Sequence, residues 1–258
     1  VYNKIAKIFS TYLNIGNNGR LYGHMESNSE KFKVNVTAPY LATRDVLIEN
    51  MFLELDNRNP VYNTFLEIGA VSTPFIKARD FNLINLTRED TLLIKTNFKG
   101  AEGSLDQFDL NLYYATNEQN KSVLGFRRSN IIYQNVPWVL NPERDTNHKM
   151  EFDKSFEDIL VYPSLLVHEN EEIQMSGALF SAQDEALDLK FKDVNLEHIL
   201  PVIDKFKMSG IVNGQLSLRQ QESQLKPTAD ISINNYVLND FAIGDFDAKI
   251  SGKTSAEY

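Results

Sequence analysis

The chain has 258 residues, no cysteine and a formal net charge of -9. These features exclude a disulfide framework and a thiolate metal site, and an acidic chain without a run of Lys and Arg is poorly suited to binding nucleic-acid phosphates. No segment approaches the roughly 18–20 apolar residues that cross a bilayer, and no signal-peptide pattern follows Val1. We expect the chain to be a piece of a longer protein, with any membrane anchor outside it.

Two stretches have the helical spacing of apolar residues, at intervals of three and four. The first comprises Ile5, Ile8, Phe9, Tyr12 and Leu13. The second comprises Leu196, Ile199, Leu200, Ile203 and Phe206. Both stretches predict short amphipathic helices. The first, over Tyr2 to Leu13, is expected to pack on the adjoining sheet, and a membrane-surface helix is the alternative.

Most of the remaining chain alternates apolar and polar residues, the pattern of strands with one dry and one wet face. The clearest runs are around Phe108, Ile173, Leu187, Leu216, Ile231 and Phe246. About 15 such runs follow one another at the spacing expected of sequential antiparallel strands. We therefore predict a mainly β protein, built as a long antiparallel meander.

The middle of the chain is less regular. Trp138, the only tryptophan, lies between Pro137 and Pro142, and proline cannot donate a ladder hydrogen bond, so we expect this segment at a sheet edge or bulge. No stretch has linker composition. We predict a single elongated region over residues 1–258, with a weak break near 141–147.

Residue patterns for catalysis or cofactor binding are not found. The four histidines are scattered, and the densest ionisable group, His168 with Glu169, Glu171 and Glu172, is explained by a hairpin tip. A phosphate-binding glycine loop and a nucleophile elbow are both missing from the sequence. We expect no enzymatic activity, no cofactor and no metal.

A sheet with this much apolar surface must bury it. The sheet can pack on a second sheet as a β-sandwich, close into a barrel, or curl into an open trough with an apolar interior. In the first two cases the apolar residues form an ordinary core, whereas in the third they line a groove that implies an apolar ligand. The alternation alone favours the sandwich or the closed barrel.

Several motifs in the second half resemble the periplasmic region of the TamB family of AsmA-like proteins in Bacteroidetes-type bacteria. The segment Phe191-Lys192-Asp193-Val194-Asn195-Leu196 ends a strand and leads into a short helix. It is followed by a hairpin start that contains Gly210, Gly214 and Leu216. Lys226-Pro227-Thr228-Ala229 and Ile243-Gly244-Asp245-Phe246 then open two further strands. The first half of the chain shares only the general order of an amphipathic helix followed by long strands, without a specific motif.

This resemblance implies an elongated, taco-like β trough, tethered to the inner membrane through segments outside this chain and crossing the periplasm. It also implies an outer-membrane partner of the Omp85 type. The implied role is phospholipid transport between the membranes, in support of outer-membrane biogenesis and of protein insertion or secretion. The alternative is a structural or protein-binding β module that chaperones outer-membrane β-strands by edge addition.

The residues expected to line the lipid groove are those with the cleanest alternation. They are Phe108, Leu110, Leu112, Ile173, Met175, Leu179, Leu187, Leu189, Phe191, Leu216, Leu218, Ile231, Ile233, Phe246 and Ile250. An ordinary closed core is the alternative interpretation for each of them.

Overall fold

A computed structural model describes residues 14–155, 158–180, 185–201, 207–221 and 224–251. These residues form a mainly β protein with almost no helix, and every described pairing between strands is antiparallel. The chain divides into two compact units, one ending at Leu112 and the other beginning at Tyr113. The division falls within a strand, and the loop at 141–147 lies inside the second unit.

Eighteen strands are described. The first eight are β1 (Asn14–Ile15), β2 (Arg20–Glu26), β3 (Lys31–Ala42), β4 (Leu47–Asp56), β5 (Thr64–Ser72), β6 (Lys77–Arg88), β7 (Thr91–Lys99) and β8 (Gln107–Thr116). The next five are β9 (Ser122–Phe126), β10 (Ser129–Tyr133), β11 (Val136–Leu140), β12 (Lys149–Phe152) and β13 (Asp158–His168). The last five are β14 (Glu171–Phe180), β15 (Glu185–Asn195), β16 (Met208–Gln221), β17 (Gln224–Leu238) and β18 (Phe241–Ile250).

The first unit is a meander in which each strand from β2 to β7 pairs with the next. The short strand β1 also pairs with β3, where Asn14 lies opposite Ala42. Side chains that lie opposite one another share a face. One apolar row of this unit consists of Leu21, Val36, Leu53, Leu66 and Leu83. The alternation predicted from the sequence is therefore in register across the strands.

The second unit contains a longer meander, β13 to β18, whose strands pair in chain order. At its start, β13 pairs both with β12 and with β11, and β12 pairs in turn with β9. The strand β11 pairs with β10 along its whole length but with β13 only at Val139 and Leu140. Pro137 therefore lies in the part of β11 that has one described partner strand, as expected for a residue without an N–H.

Within the described residues, one short α-helix, α1 (Leu196–Ile199), follows β15, and a 3-10 helix spans Ser27–Ser29. The side chain of Asn195 accepts a hydrogen bond from the N–H of Glu197 and caps the helix. The predicted helix from Leu196 to Phe206 is wrong at Leu200, which is extended because a proline follows it and disfavours helical backbone. Ile203 and Phe206 lie outside the described residues, as does the predicted helix from Tyr2 to Leu13.

The densest packing of the second unit surrounds Trp138, which is 2% exposed. Trp138 forms a buried cluster with Val194, Leu196 and Val212. Half-buried side chains pack around this cluster, from the hairpin β10–β11, from α1 and from the apolar side of the meander. They are Ile131, Tyr133, Val136, Leu166, Ile173, Phe191, Ile199, Leu200, Met208, Ile231, Ile233 and Tyr236. We call this group the Trp138 cluster.

The loop at 141–147, predicted as a weak break, is held by Asn141. This side chain is 1% exposed and donates to the carbonyl oxygens of Phe126 (2.7 Å) and Asp145 (2.9 Å). It also accepts from the N–H of Asp145, and its own N–H donates to Leu165. These hydrogen bonds connect the loop to Phe126 at the end of β9 and to Leu165 within β13.

Candidate functional site

The apolar residues of β14 to β18 lie on one face of the second unit, because the five strands pair in register. Two rows cross all five strands. They are the row of Met175, Leu189, Leu216, Ala229 and Ile250, and the row of Ile173, Phe191, Gly214, Ile231 and Ala248. Shorter rows contain Leu187 opposite Leu218, and Val212 opposite Ile233, which is itself opposite Phe246. We call this surface the apolar face.

Eleven of the fifteen residues predicted to line a groove lie on the apolar face. They are Ile173, Met175, Leu187, Leu189, Phe191, Leu216, Leu218, Ile231, Ile233, Phe246 and Ile250. The backbone of Leu179 pairs with Ile159, and its side chain lies outside the description. Phe108, Leu110 and Leu112 belong to the first unit.

The apolar face has a packed part and an open part. Ile173, Phe191, Ile231 and Ile233 belong to the Trp138 cluster and are core residues of the second unit. Met175, Leu187, Leu189, Leu216, Leu218, Phe246 and Ile250 lie outside that cluster within the described chain. Of these, Met175 is 38% exposed, Phe246 42% and Ile250 51%. We call these seven residues the open part of the apolar face: three of them are exposed, and the four leucines are half-buried.

The opposite face of the same strands is polar and contains a groove of about 880 Å³. Its lining is mostly polar, with both signs of charge, amides and a serine, and it also includes a leucine, a glycine and a phenylalanine: Leu165, Glu172, Gln174, Lys190, Phe191, Lys192, Asn213, Gly214, Gln215, Asp230, Ser232, Asp247 and Lys249. Lys192 Nζ lies 2.5 Å from a Glu172 oxygen, and Lys249 Nζ lies 3.3 Å from an Asp230 oxygen. The hydrogen bond to Glu172 raises the pKa of Lys192. Paired charges make this groove unsuitable for an acyl chain.

In the first unit, three aromatic rings stack across neighbouring strands. The rings of Phe81 and Phe98 lie 5.8 Å apart, and those of Phe98 and Phe108 lie 4.5 Å apart. By alternation along β8, Leu110 and Leu112 share the face of Phe108. All three are half-buried. The β8 residues of the predicted set thus join the apolar side of the first unit.

The residues predicted to line the groove leave out several members of the apolar face. Leu166 on β13 and Val212, Ala229 and Ala248 on later strands share it. Their alternation with polar neighbours was visible in the sequence, but the small alanines carry a weak apolar signal. The division into packed and open parts was not visible, because it depends on where the hairpin β10–β11 lies in three dimensions.

No family model matches the chain, and no curated protein or solved structure matches it. Within the described residues, none of the helical structure is long and apolar enough to span a membrane.

Proposed function

We propose that the open part of the apolar face binds the acyl chains of phospholipids, and that the chain is a periplasmic segment of a TamB-like envelope-spanning protein. The observation that carries the proposal is the in-register row of Met175, Leu189, Leu216, Ala229 and Ile250, whose two ends are exposed while Ala229 is buried and the two leucines are half-buried. Soluble proteins seldom leave a contiguous apolar surface uncovered unless a ligand or partner occupies it.

The dimensions of the face suit an acyl chain. Five strands at about 4.8 Å spacing span about 19 Å. One leaflet of a bilayer has a hydrocarbon depth of about 15 Å, half of the usual core thickness. Each CH₂ removed from water stabilises the complex by about 0.8 kcal/mol, so contact with a few CH₂ groups supports weak, mobile binding. The lipid head group would remain in water beyond the edge of the row.

We further propose that the sheet is an open trough, rather than a β-sandwich or a closed barrel. Only eight apolar side chains among the described residues are buried, and four of them belong to the Trp138 cluster. A second layer across the whole sheet would bury many more, because the inner faces of a sandwich interdigitate into a continuous core. The leucines of β15 and β16 are half-buried rather than buried, which supports the trough.

The cellular setting of the proposal rests on the resemblance to TamB proteins. On this proposal the chain lies in the periplasm, tethered to the inner membrane through other segments, with an outer-membrane Omp85-type barrel as its partner. The role would be phospholipid transport that supports outer-membrane biogenesis and protein secretion. It is a binding role, without catalysis, cofactor or nucleic acid.

Two neighbouring substitutions test the proposal. Leu216→Asp places a carboxylate on the open part of the apolar face, whereas Gln215→Asp places the same group one residue away, on the polar face. We expect the wild-type chain and Gln215→Asp to bind a fluorescent fatty acid with the same affinity. Leu216→Asp should bind at least tenfold more weakly, a loss of about 1.4 kcal/mol.

The control for folding is the β-sheet circular dichroism of both variants, which should match that of the wild type. The proposal fails if the wild type does not bind the probe, or if Leu216→Asp binds as tightly as Gln215→Asp. Failure to bind lipid, together with capture of an unfolded outer-membrane β-strand peptide, would instead favour the strand-chaperoning module.

A further inference from the structure

Two histidines and a glutamate converge beside the Trp138 cluster, at a place that the lipid proposal does not use. His168 is the last residue of β13, Glu171 is the first residue of β14, and His198 lies on α1. One ligand atom of each lies within 4.8 Å of the others. The rings of His168 and His198 are 5.4 Å apart in an edge-to-face arrangement.

We propose that His168, Glu171 and His198 bind one divalent transition-metal ion, with Zn²⁺ as the best match. Two imidazoles and one carboxylate form a ligand set that zinc accepts, with a fourth position left for water. The proposal is independent of the lipid-binding function.

The hydrogen bond of His168 sets the tautomer that a metal ligand needs. Its Nδ1 lies 2.7 Å from the carbonyl oxygen of Pro137. A carbonyl oxygen can only accept, so Nδ1 carries the hydrogen and donates it. The Nε2 of His168 therefore has a free lone pair, and a backbone carbonyl on the other nitrogen is a usual support of a metal-binding histidine.

Glu171 is held in position by two further contacts. One oxygen accepts the N–H of Asn195 at 2.9 Å, and the other lies 2.7 Å from His198 Nδ1. Glu171 is only 9% exposed, so it has little freedom to turn towards water. Asn195 also caps α1 through its side chain, which fixes the helix that carries His198.

Coordination requires small movements. Ligand atoms on a tetrahedral zinc ion with bonds of about 2.0–2.1 Å are about 3.3 Å apart. The contact between His198 Nδ1 and Glu171 has to open by about 0.6 Å, and the widest pair has to close by at most about 1.5 Å. The ring of His198 is 29% exposed and can rotate, whereas His168 is held between Pro137 and the ring of Trp138, 5.6 Å away.

The first test is a zinc titration of the whole 258-residue chain, with affinity tags removed and prior dialysis against a chelator. Binding is measured by isothermal calorimetry, and the bound metal by elemental analysis after gel filtration. We expect one zinc per chain with a dissociation constant in the micromolar range or below. Addition of zinc should also raise the melting temperature.

Three variants locate the site. His168→Ala and His198→Gln should each weaken zinc binding at least tenfold, whereas His24→Ala, at an exposed residue of β2, should leave it unchanged. A glutamine at position 198 can still donate to Glu171, so this variant keeps the hydrogen bond between α1 and β14 while removing the metal ligand. Melting temperatures measured in chelator confirm that each variant folds.

Cobalt distinguishes a true site from surface binding. A tetrahedral Co²⁺ complex should give visible absorption bands in the wild type that are absent from His168→Ala. The proposal is overturned if zinc binds substoichiometrically, or if His168→Ala and His198→Gln bind zinc as tightly as the wild type does. In that event the three residues form only a hydrogen-bonded contact between α1 and the β13–β14 hairpin.

Discussion

Gly214 in β16 lies so close to Asp230 in β17 that a Cβ at position 214 would be 2.1 Å from the Asp230 carbonyl oxygen. The same glycine has a φ of +121°, which side chains rarely adopt. We predict that Gly214→Ala lowers the free energy of unfolding by about 2–4 kcal/mol, through strain and displacement of β17. Urea unfolding followed by circular dichroism measures this loss.

Gly23→Ala is the matched control for this prediction. Gly23 also lies inside a strand, but its Cβ would meet its nearest neighbour at an ordinary 3.9 Å. This substitution should be neutral or slightly stabilising, since alanine reduces the freedom of the unfolded chain. Equal destabilisation by both substitutions would contradict the close approach of β16 and β17.

Asn141 offers a second test of the fold. Replacement by alanine leaves the carbonyl oxygens of Phe126 and Asp145 and the N–H of Asp145 without their side-chain partner. Because Asn141 is fully buried, we expect a loss of about 2–4 kcal/mol in unfolding free energy. Asn130→Ala, at an exposed position of β10, should change it by less than about 0.5 kcal/mol. Comparable losses from the two variants would refute the role of Asn141.

The acid stability of the second unit should depend on His148. Burial lowers the pKa of His148, and the nearby charge of Asp145 opposes this only in part. The N–H of Leu165 also points at its Nδ1, at 3.5 Å, and so favours the neutral ring. The unfolded chain then binds a proton more readily than the folded chain, so the stabilisation is complete above about pH 6.5 and is lost as the pH falls towards the lowered pKa.

The measurement compares the wild type with His148→Gln in urea melts between pH 8 and pH 5. We predict a shallower fall in unfolding free energy for His148→Gln over this interval, since glutamine does not titrate. If the unfolding free energy of His148→Gln falls as steeply with decreasing pH as that of the wild type, burial does not protect His148 from protonation.

The two parts of the apolar face should respond differently to a new charge. Ile231 belongs to the Trp138 cluster, so Ile231→Asp buries an unpaired carboxylate and should lower the unfolding free energy by about 3 kcal/mol or more. Leu189 is half-buried and lies outside the cluster, so Leu189→Asp should cost less than about 1.5 kcal/mol because the cluster does not enclose its side chain. Unfolding followed by the fluorescence of Trp138 measures the loss of unfolding free energy in each variant. Similar losses for the two would mean that the face has a single continuous core.

The β class, and the faces of β14 to β18, could be predicted from the sequence because alternation with a period of two assigns each side chain to a side. The pairing register of the strands could not be predicted, since a shift by two residues keeps the same alternation. Leu189 and Ile231 have the same sequence pattern, yet only Ile231 contacts the Trp138 cluster. That difference arises from the position of β10 and β11, far away along the chain.

The histidine cluster was missed for a similar reason. His168 and Glu171 are close in sequence and flank the tip of the β13–β14 hairpin, but His198 is brought to them by α1, after the whole of β15. Ligand spacing along the sequence detects sites within one hairpin or helix and misses those that tertiary packing assembles. The extent of the helix was also overestimated, because the effect of Pro201 on Leu200 outweighed the apolar spacing.

The most direct test of acyl-chain binding is native mass spectrometry of the purified chain, followed by organic extraction and lipid analysis of what co-purifies. We predict a phospholipid adduct on the wild type that is lost in Leu189→Asp, with the β-sheet circular dichroism of the variant unchanged. A bare wild-type mass, with no uptake of added phospholipid or fatty acid, would contradict the proposal that the open apolar face binds lipid.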